Sequence, residues 1–216
     1  MLIMQEKDMS AFVNRQIYSL YGKTLNLDPY QQKVLERLEK CFTPNNSKYY
    51  SQVNCLIFSP LHTVQYSIYL YFLANVLYMQ GVNADSPNML YCLNKALHNV
   101  DWFYEIELPA VFCAEHPIGS VMGRAKYSDY FFFYQGCTVG GSGEKYPTLG
   151  ERVVMYSNCS ILGDSHIGKN VILGAGTQII NANIFDNCFV FGHSPELTII
   201  PKDEEYMLNR MMEFWK

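Results

Sequence analysis

The sequence predicts an α+β chain: an N-terminal α-helical domain followed by a parallel β-helix of hexapeptide repeats. Two observations carry this. Proline-punctuated apolar segments fill the first 100 residues. From about residue 117 the 3.6-residue rhythm disappears, and an apolar residue recurs every six positions. The expected units are a helical domain over 1–100, the β-helix over 101–200, and a C-terminal tail over 201–216 with a short helix near 202–215.

In the helical part, Asp28-Pro29, Ser59-Pro60 and Ser86-Pro87 each set a short polar side chain just before a proline. Such a side chain accepts from the free amides of a first turn, and proline loses nothing at the first helical position. Helices are expected over 29–42, 60–80 and 87–99, the second stopping at Gly81, where glycine suits a left-handed C-terminal residue. A further helix near 10–21 carries Phe12, Ile17 and Leu20 on its apolar side.

In the repeat part, Leu149, Met155, Ile161, Ile167, Leu173, Ile179, Phe185 and Phe191 stand six apart. If about a third of positions are large and apolar, chance gives such a run on the order of once in several thousand trials per phase. Four residues after these come Val153, Cys159, Ser165, Val171, Thr177, Asn183 and Phe189, mostly small or β-branched. A strand this short cannot bury its face alone, whereas stacked rungs pair their backbones and share one inner column. Upstream the phase continues as Val121, Tyr127, Phe133 and Val139. The step from Val139 to Leu149 is ten residues, so four extra residues form a Gly- and Pro-rich loop thrown out near 141–147.

Of the 216 residues, 49% are apolar and 17% charged, which supports a large core and excludes disorder. The net charge is −4 and no Lys/Arg run is long enough to track a phosphate backbone, which excludes nucleic acid as a partner. The seven cysteines (Cys41, Cys55, Cys92, Cys113, Cys137, Cys159, Cys188) form no Cys-x-x-Cys pair and read as reduced side chains of a cytoplasmic protein. Residues 1–4 are apolar, but Gln5, Glu6, Lys7 and Asp8 follow at once, which predicts no signal peptide. Segment 61–79 contains His62, Gln65, Ser67 and Asn75 and reads as a core helix, not a membrane span. A β-helix zinc enzyme would need three converging histidines, and His116, His166 and His193 lack close ligand spacing.

Several motifs together resemble serine acetyltransferase. They are a helix from Ser59 to Gly81, Val100-Asp101, Glu115-His116 fifteen residues on, Gly119-x-Val121-x-Gly123, Thr138-Val-Gly-Gly141, the loop ending Lys145-Tyr146-Pro147, and the repeats. The resemblance covers roughly residues 59–200 and implies a left-handed coil, a cytoplasmic acetyl-CoA-dependent O-acetyltransferase with no metal, and a homotrimer or dimer of trimers. It implies His116 as general base and Asp101 as the carboxylate orienting it. A neutral imidazole can take a hydroxyl proton as the oxygen attacks a thioester, and a carboxylate on its other nitrogen stabilises the imidazolium. Acetyl-CoA would lie along small residues in a groove between β-helices, matched here by Gly140, Gly141, Ser157, Gly174 and Ala175, with Lys169 near its phosphates. An amide near Gly140-Gly141 would help hold the developing oxyanion. Glu115, Lys145 and Tyr146 would meet the acceptor.

The chain departs from that family at named places. Lys145-Tyr146-Pro147 replaces Arg-His-Pro, Glu115 replaces Asp, and Gly192-His193-Ser194-Pro195-Glu196-Leu197 replaces Gly-x-Pro-Ala followed by a basic residue. Lys can hold a carboxylate as a point charge but lacks the bidentate fork of Arg. The aromatic run Tyr127, Tyr130 to Tyr134 suits sugar stacking or an interface. The acceptor therefore stays open between serine and a sugar or surface-polysaccharide hydroxyl, and a non-catalytic β-helix scaffold is the remaining alternative.

Overall fold

The computed structural model describes residues 2–4, 8–52 and 55–216; Gln5, Glu6 and Lys7, which close the apolar start, lie outside them. Strand β1 (Leu2–Met4) is followed by α1 (Met9–Tyr21), α2 (Asp28–Phe42), β2 (Ser51–Gln52), β3 (Cys55–Phe58), α3 (Thr63–Met79) and α4 (Asp85–His98). The four helices stand where the sequence puts them. The first half is not wholly helical, however: β1, β3 and β2 form a small sheet. Its strands are too short for a period-two pattern to register.

The expected caps are corrected. The N-caps of α2 and α4 are Leu27 and Ala84, which supply no side-chain bond; Asp28 and Ser86 sit inside their first turns, and at α4 the Asn83 side chain accepts from the Asp85 amide at 3.0 Å, while the Asp28 and Asp85 carboxylates meet the helix dipole. Ser59-Pro60 precedes α3 by a turn, and His62 is the cap, its ring accepting from the Gln65 amide at 3.4 Å. Gly81 does close α3, at φ +70°.

Helix α3 is buried from Val64 to Leu77, as an all-round apolar helix must be. Its phenols are satisfied: Tyr66 donates to Gln16 at 2.7 Å, Tyr69 to Gln31 at 2.8 Å and Tyr71 to the Ile106 carbonyl at 2.6 Å. No helix among the described residues is long and apolar enough to cross a membrane.

The second half runs β4 (Asp101–Trp102), β5 (Phe112–Ala114), β6 (Val121–Met122), β7 (Phe131–Phe133), β8 (Thr138–Gly140), β9 (Thr148–Leu149), β10 (Val154–Met155), β11 (Ser160–Leu162), β12 (His166–Ile167), β13 (Val171–Leu173), β14 (Gln178–Ile180), β15 (Asn183–Ile184), β16 (Cys188–His193), β17 (Glu196–Pro201) and α5 (Glu204–Met211). These strands make a parallel β-helix with three faces: β4-β6-β8-β11-β14, β5-β7-β10-β13-β16 and β9-β12-β15. Val139 pairs with Ile161, 22 residues on, and Ile161 with Ile179, 18 on. The four extra residues are the expected loop, pinched by Ser142 and Lys145 backbone bonds.

The six-residue phase holds from Leu149 to Ile179 and then slips. Leu149, Met155, Ile161, Ile167, Leu173 and Ile179 are buried, but Phe185 and Phe191 are 53% and 41% exposed. The inner residues there are Ile184 and Val190, because β15 pairs with β12 at a 17-residue offset. One residue is missing from the turn at 180–183. Upstream, Met122 rather than Val121 is the buried residue. The repeats end in an unexpected antiparallel hairpin, β16–β17, joined through a cis Ser194-Pro195 bond.

After α5 the chain turns back onto both halves. Phe214 lies 4.7 Å from the Phe132 ring and Trp215 lies 5.6 Å from Tyr130. The Asn46 amide donates to the Phe214 carbonyl, and the Lys216 amide to that of Pro44. Burying the two rings contributes about 1.5–3 kcal/mol each.

Two outcomes are expected. Ile184→Ala lowers the unfolding free energy by about 2–5 kcal/mol, whereas Phe185→Ala stays within about 0.5 kcal/mol. Urea titration of both variants checks the slip, and a reversed order rejects it. His98, at the end of α4, is held neutral by burial, which pushes its pKa from the ordinary 6.5 down to about 4 despite a 2.7 Å contact to Asn94. Between those two values the unfolded chain binds the proton and the folded chain does not. Stability is thus complete above the ordinary value and falls as pH drops through the window, by about 2 kcal/mol after discounting partial exposure. His98→Gln flattens that limb in urea unfolding measured at about pH 7 and about pH 4.5.

Candidate active site

The turn that follows β5 carries Glu115 and His116, both exposed. His116 sits at φ +50° immediately before Pro117, and its carbonyl accepts from the Ile118 amide at 2.7 Å. A non-glycine residue in the left-handed region stores on the order of 1–2 kcal/mol of strain, which the surrounding rungs must hold.

Register determines what shares a corner with His116. Ala114 pairs with Phe133, Phe133 with Met155, and Met155 with Leu173. Two residues beyond β7, β10 and β13 come Gln135, Ser157 and Ala175 in one column on one corner; the Gly136 amide donates to the Ile118 carbonyl as Asn158 donates to Gln135 and Gly176 to Ser157, so Ile118 begins that column, and His116 stands just before it on the same corner, in a turn two residues longer than the others. At about 4.7–4.9 Å per rung, Ala175 lies about 14 Å from Ile118 along that column. The next position on this corner is Gly119, Gly136, Asn158 and Gly176, all at positive φ. A Cβ at Gly136 would stand 2.2 Å from the Asn158 side-chain oxygen, so this corner is built tight by backbone conformation.

His116 opens onto a cleft of about 580 Å³. Its β-helix wall is Cys113, Ala114, Glu115, Phe132, Tyr134 and Tyr156; its helical wall is Asn45, Ser47, Tyr49, Tyr50 and Leu61 to Val64; Glu213 and Phe214 close it from the C-terminus. Tyr134 and Tyr156 stack in parallel on successive rungs, centroids 5.1 Å apart at 6°. Burial, then the neighbouring Glu115 carboxylate, raises the Tyr134 phenol. Burial pushes the Cys113 thiol up to about 11, in spite of a 3.3 Å hydrogen bond to Tyr50, so it stays protonated and is a poor nucleophile. Burial lowers His62, which keeps that ring neutral.

The other expected site residues lie elsewhere. Asp101 is not bonded to His116: its carboxylate accepts from Lys95 at 2.5 Å and Tyr91 at 2.7 Å. Burial alone would raise Asp101, and those two hydrogen bonds outweigh it and hold the carboxyl below its ordinary value. Gly140 ends β8 on another face, and Gly141, Lys145 and Tyr146 follow in the loop; none of the four lines the cleft. The Tyr146 ring covers Gly141, and Lys145 pairs with Asp164 at 2.6 Å. Lys169 is held by Glu204 at 2.7 Å and does not line the cleft. Gly174 is covered by the Phe191 ring, whereas Ser157 and Ala175 stand on the corner that His116 shares.

Sequence reasoning missed His62, Tyr49, Tyr50 and the Glu213-Phe214 closure. The first three reach the cleft from the other half of the chain, and no local period marks such a meeting. The pair Phe214-Trp215 at the end of a charged tail is a signal, since such large rings seek burial. Among the described residues, no group of three His, Cys, Asp or Glu could hold a metal ion.

No protein-family model matches the chain. Serine acetyltransferase of Synechococcus elongatus is 34% identical over 111 residues, 49% of this chain and 45% of that protein. Serine acetyltransferase of Staphylococcus xylosus is 32% identical over 73 residues, 32% of this chain and 34% of that protein. The chain thus spans less than half the length of these curated relatives. Among solved structures, serine acetyltransferase of Neisseria gonorrhoeae superposes with a TM-score of 0.70 at 20% identity, over 95% of this chain and 84% of that one. That of Brucella abortus gives 0.65 at 23% identity, over 91% and 78%. The chain resembles serine acetyltransferases in sequence over about half its length and in fold over more than nine-tenths of it.

Proposed function

We propose that this chain is an acetyl-CoA-dependent O-acetyltransferase that moves an acetyl group to a hydroxyl of a small acceptor, with His116 as general base. The observation that carries the reading is an exposed imidazole lining a cleft, on the same corner of the β-helix as the small side chains of Ser157 and Ala175. The curated relatives are named serine acetyltransferases, and solved structures similar in fold include complexes with CoA and with cysteine.

Acetyl-CoA supplies the acetyl thioester when bound. Ser157 and Ala175 leave room for an extended arm along the corner, and His116 takes the acceptor's hydroxyl proton as the oxygen attacks the carbonyl carbon. The C–S bond breaks and the leaving thiolate takes the proton back from the imidazolium. The protonated Cys113 adds no covalent acyl step. Because the 141–147 loop and the cleft occupy different parts of one chain, the reading takes a trimer in which a second copy brings its loop, with Gly140, Gly141, Lys145 and Tyr146, toward the cleft. Asp101 is assigned to tying α4 onto the first rung through Lys95 and Tyr91.

His116→Gly separates chemistry from folding. Acetyl-CoA turnover, followed by thiol release, should fall at least about a hundredfold, while unfolding free energy stays level or rises by up to about 1 kcal/mol as strain is relieved. Near-wild-type turnover removes His116 from the mechanism. Asp101→Asn should cost about 0.5 kcal/mol of stability and leave turnover within about threefold, and a His116-sized loss of turnover restores Asp101 as the orienting carboxylate.

A further inference from the structure

We infer that a second binding site, for a small organic phosphate monoester, lies between α2, α3 and the segment that joins β4 to β5. The cleft there measures about 370 Å³ and shares no lining residue with the one at His116. On its α2 wall stand Lys33, Arg37 and Lys40. Spacings of four and then three residues put all three on one helix face, over about 10 Å. None of the three forms an ion pair among the described residues.

Arg37 is the central cation and the least exposed of the three. Its guanidinium lies 4.2 Å over the Phe72 ring and donates to the Asn75 side-chain oxygen at 2.6 Å. Burial lowers its pKa from the ordinary value, so its neighbours only partly offset the loss of water. Asn75 and the Tyr71 phenol engage two of its five N–H donors, and the others have no bonded acceptor among the described residues. A guanidinium held by a ring and an amide keeps its remaining fork rigid, which suits two oxygens of one phosphate.

Three cations match the three terminal oxygens of a phosphate monoester, whereas a carboxylate has two. The charge balance agrees. Glu105 and Glu107 line the facing wall and, with Arg124, the hollow beside it. Four cations, Lys33, Arg37, Lys40 and Arg124, thus surround two carboxylates, and the two positive charges left over match a phosphate dianion. Val76, Met79 and Leu108 give the cleft an apolar side. That side suits a carbon body attached to the phosphate and offers inorganic phosphate nothing.

Titration calorimetry on the full chain with phenyl phosphate, inorganic phosphate and benzoate tests the site. Phenyl phosphate should bind at least about tenfold more tightly than benzoate and at least about threefold more tightly than inorganic phosphate. Arg37→Lys keeps the charge and loses the fork, and should weaken phenyl phosphate at least about tenfold. Lys33→Gln combined with Lys40→Gln changes two exposed side chains and should weaken it by a similar factor. Circular dichroism identifies a variant that has not folded, and the lysine pair then carries the test without Arg37→Lys. His116→Gly should bind phenyl phosphate as the unaltered chain does. Benzoate or inorganic phosphate binding as tightly as phenyl phosphate overturns the inference. So does an affinity indifferent to the substitutions on α2, binding lost in His116→Gly, or no binding of phenyl phosphate.

Discussion

A strand of two or three residues cannot hold itself together, and the second half of this chain is made almost entirely of such strands. Their stability comes from neighbours above and below, which accept each rung's backbone bonds and complete one buried column. Register is therefore the controlling quantity. Once Ala114, Phe133, Met155 and Leu173 are stacked, Gln135, Ser157 and Ala175 are stacked as well, and the longer turn that carries His116 is anchored on the same corner at both ends, at Ala114 and at Ile118.

The same constraint explains the strain at His116. The corners of this coil turn through left-handed residues, supplied mostly by glycine and asparagine. At the first turn that position is Gly119, and His116, earlier in the same longer turn, is a second left-handed residue held before Pro117, a combination that the neighbouring rungs have to enforce. The ring that results is displayed outward, next to a wall contributed by the start of α3. The closure by Phe214 and Trp215 holds that wall in place, since the end of the chain bonds to residues 44–46 while its rings rest on β7.

What could be read from the sequence follows from this division. The rungs were legible because inward-facing residues must be apolar, and the buried set from Leu149 to Ile179 is the predicted one. The loop was legible as a ten-residue step. The slip at 180–183 was hidden because Phe185 and Phe191 are apolar and keep the beat while pointing outward, one residue beyond the true inner Ile184 and Val190. The caps failed for a related reason: Ser59-Pro60 has the composition of a helix start, but the turn it makes lies ahead of the helix, and His62 takes the free amide. At the site, Glu115 and His116 stood out by motif. Asp101 was singled out by spacing, and nothing in the sequence shows that Lys95 and Tyr91, one turn apart on α4, reach its carboxylate.

His62 shows how two kinds of function can meet in one ring. By accepting the Gln65 amide through Nδ1 it closes the first turn of α3, and that bond fixes the tautomer with the proton on Nε2. Burial keeps the ring from gaining a second proton. The phenols of Tyr50, Tyr134 and Tyr156 and the thiol of Cys113 are likewise held in their neutral forms by burial. The cleft is thus a neutral, aromatic enclosure into which one unpaired carboxylate and one exposed imidazole project from adjacent positions of a single turn.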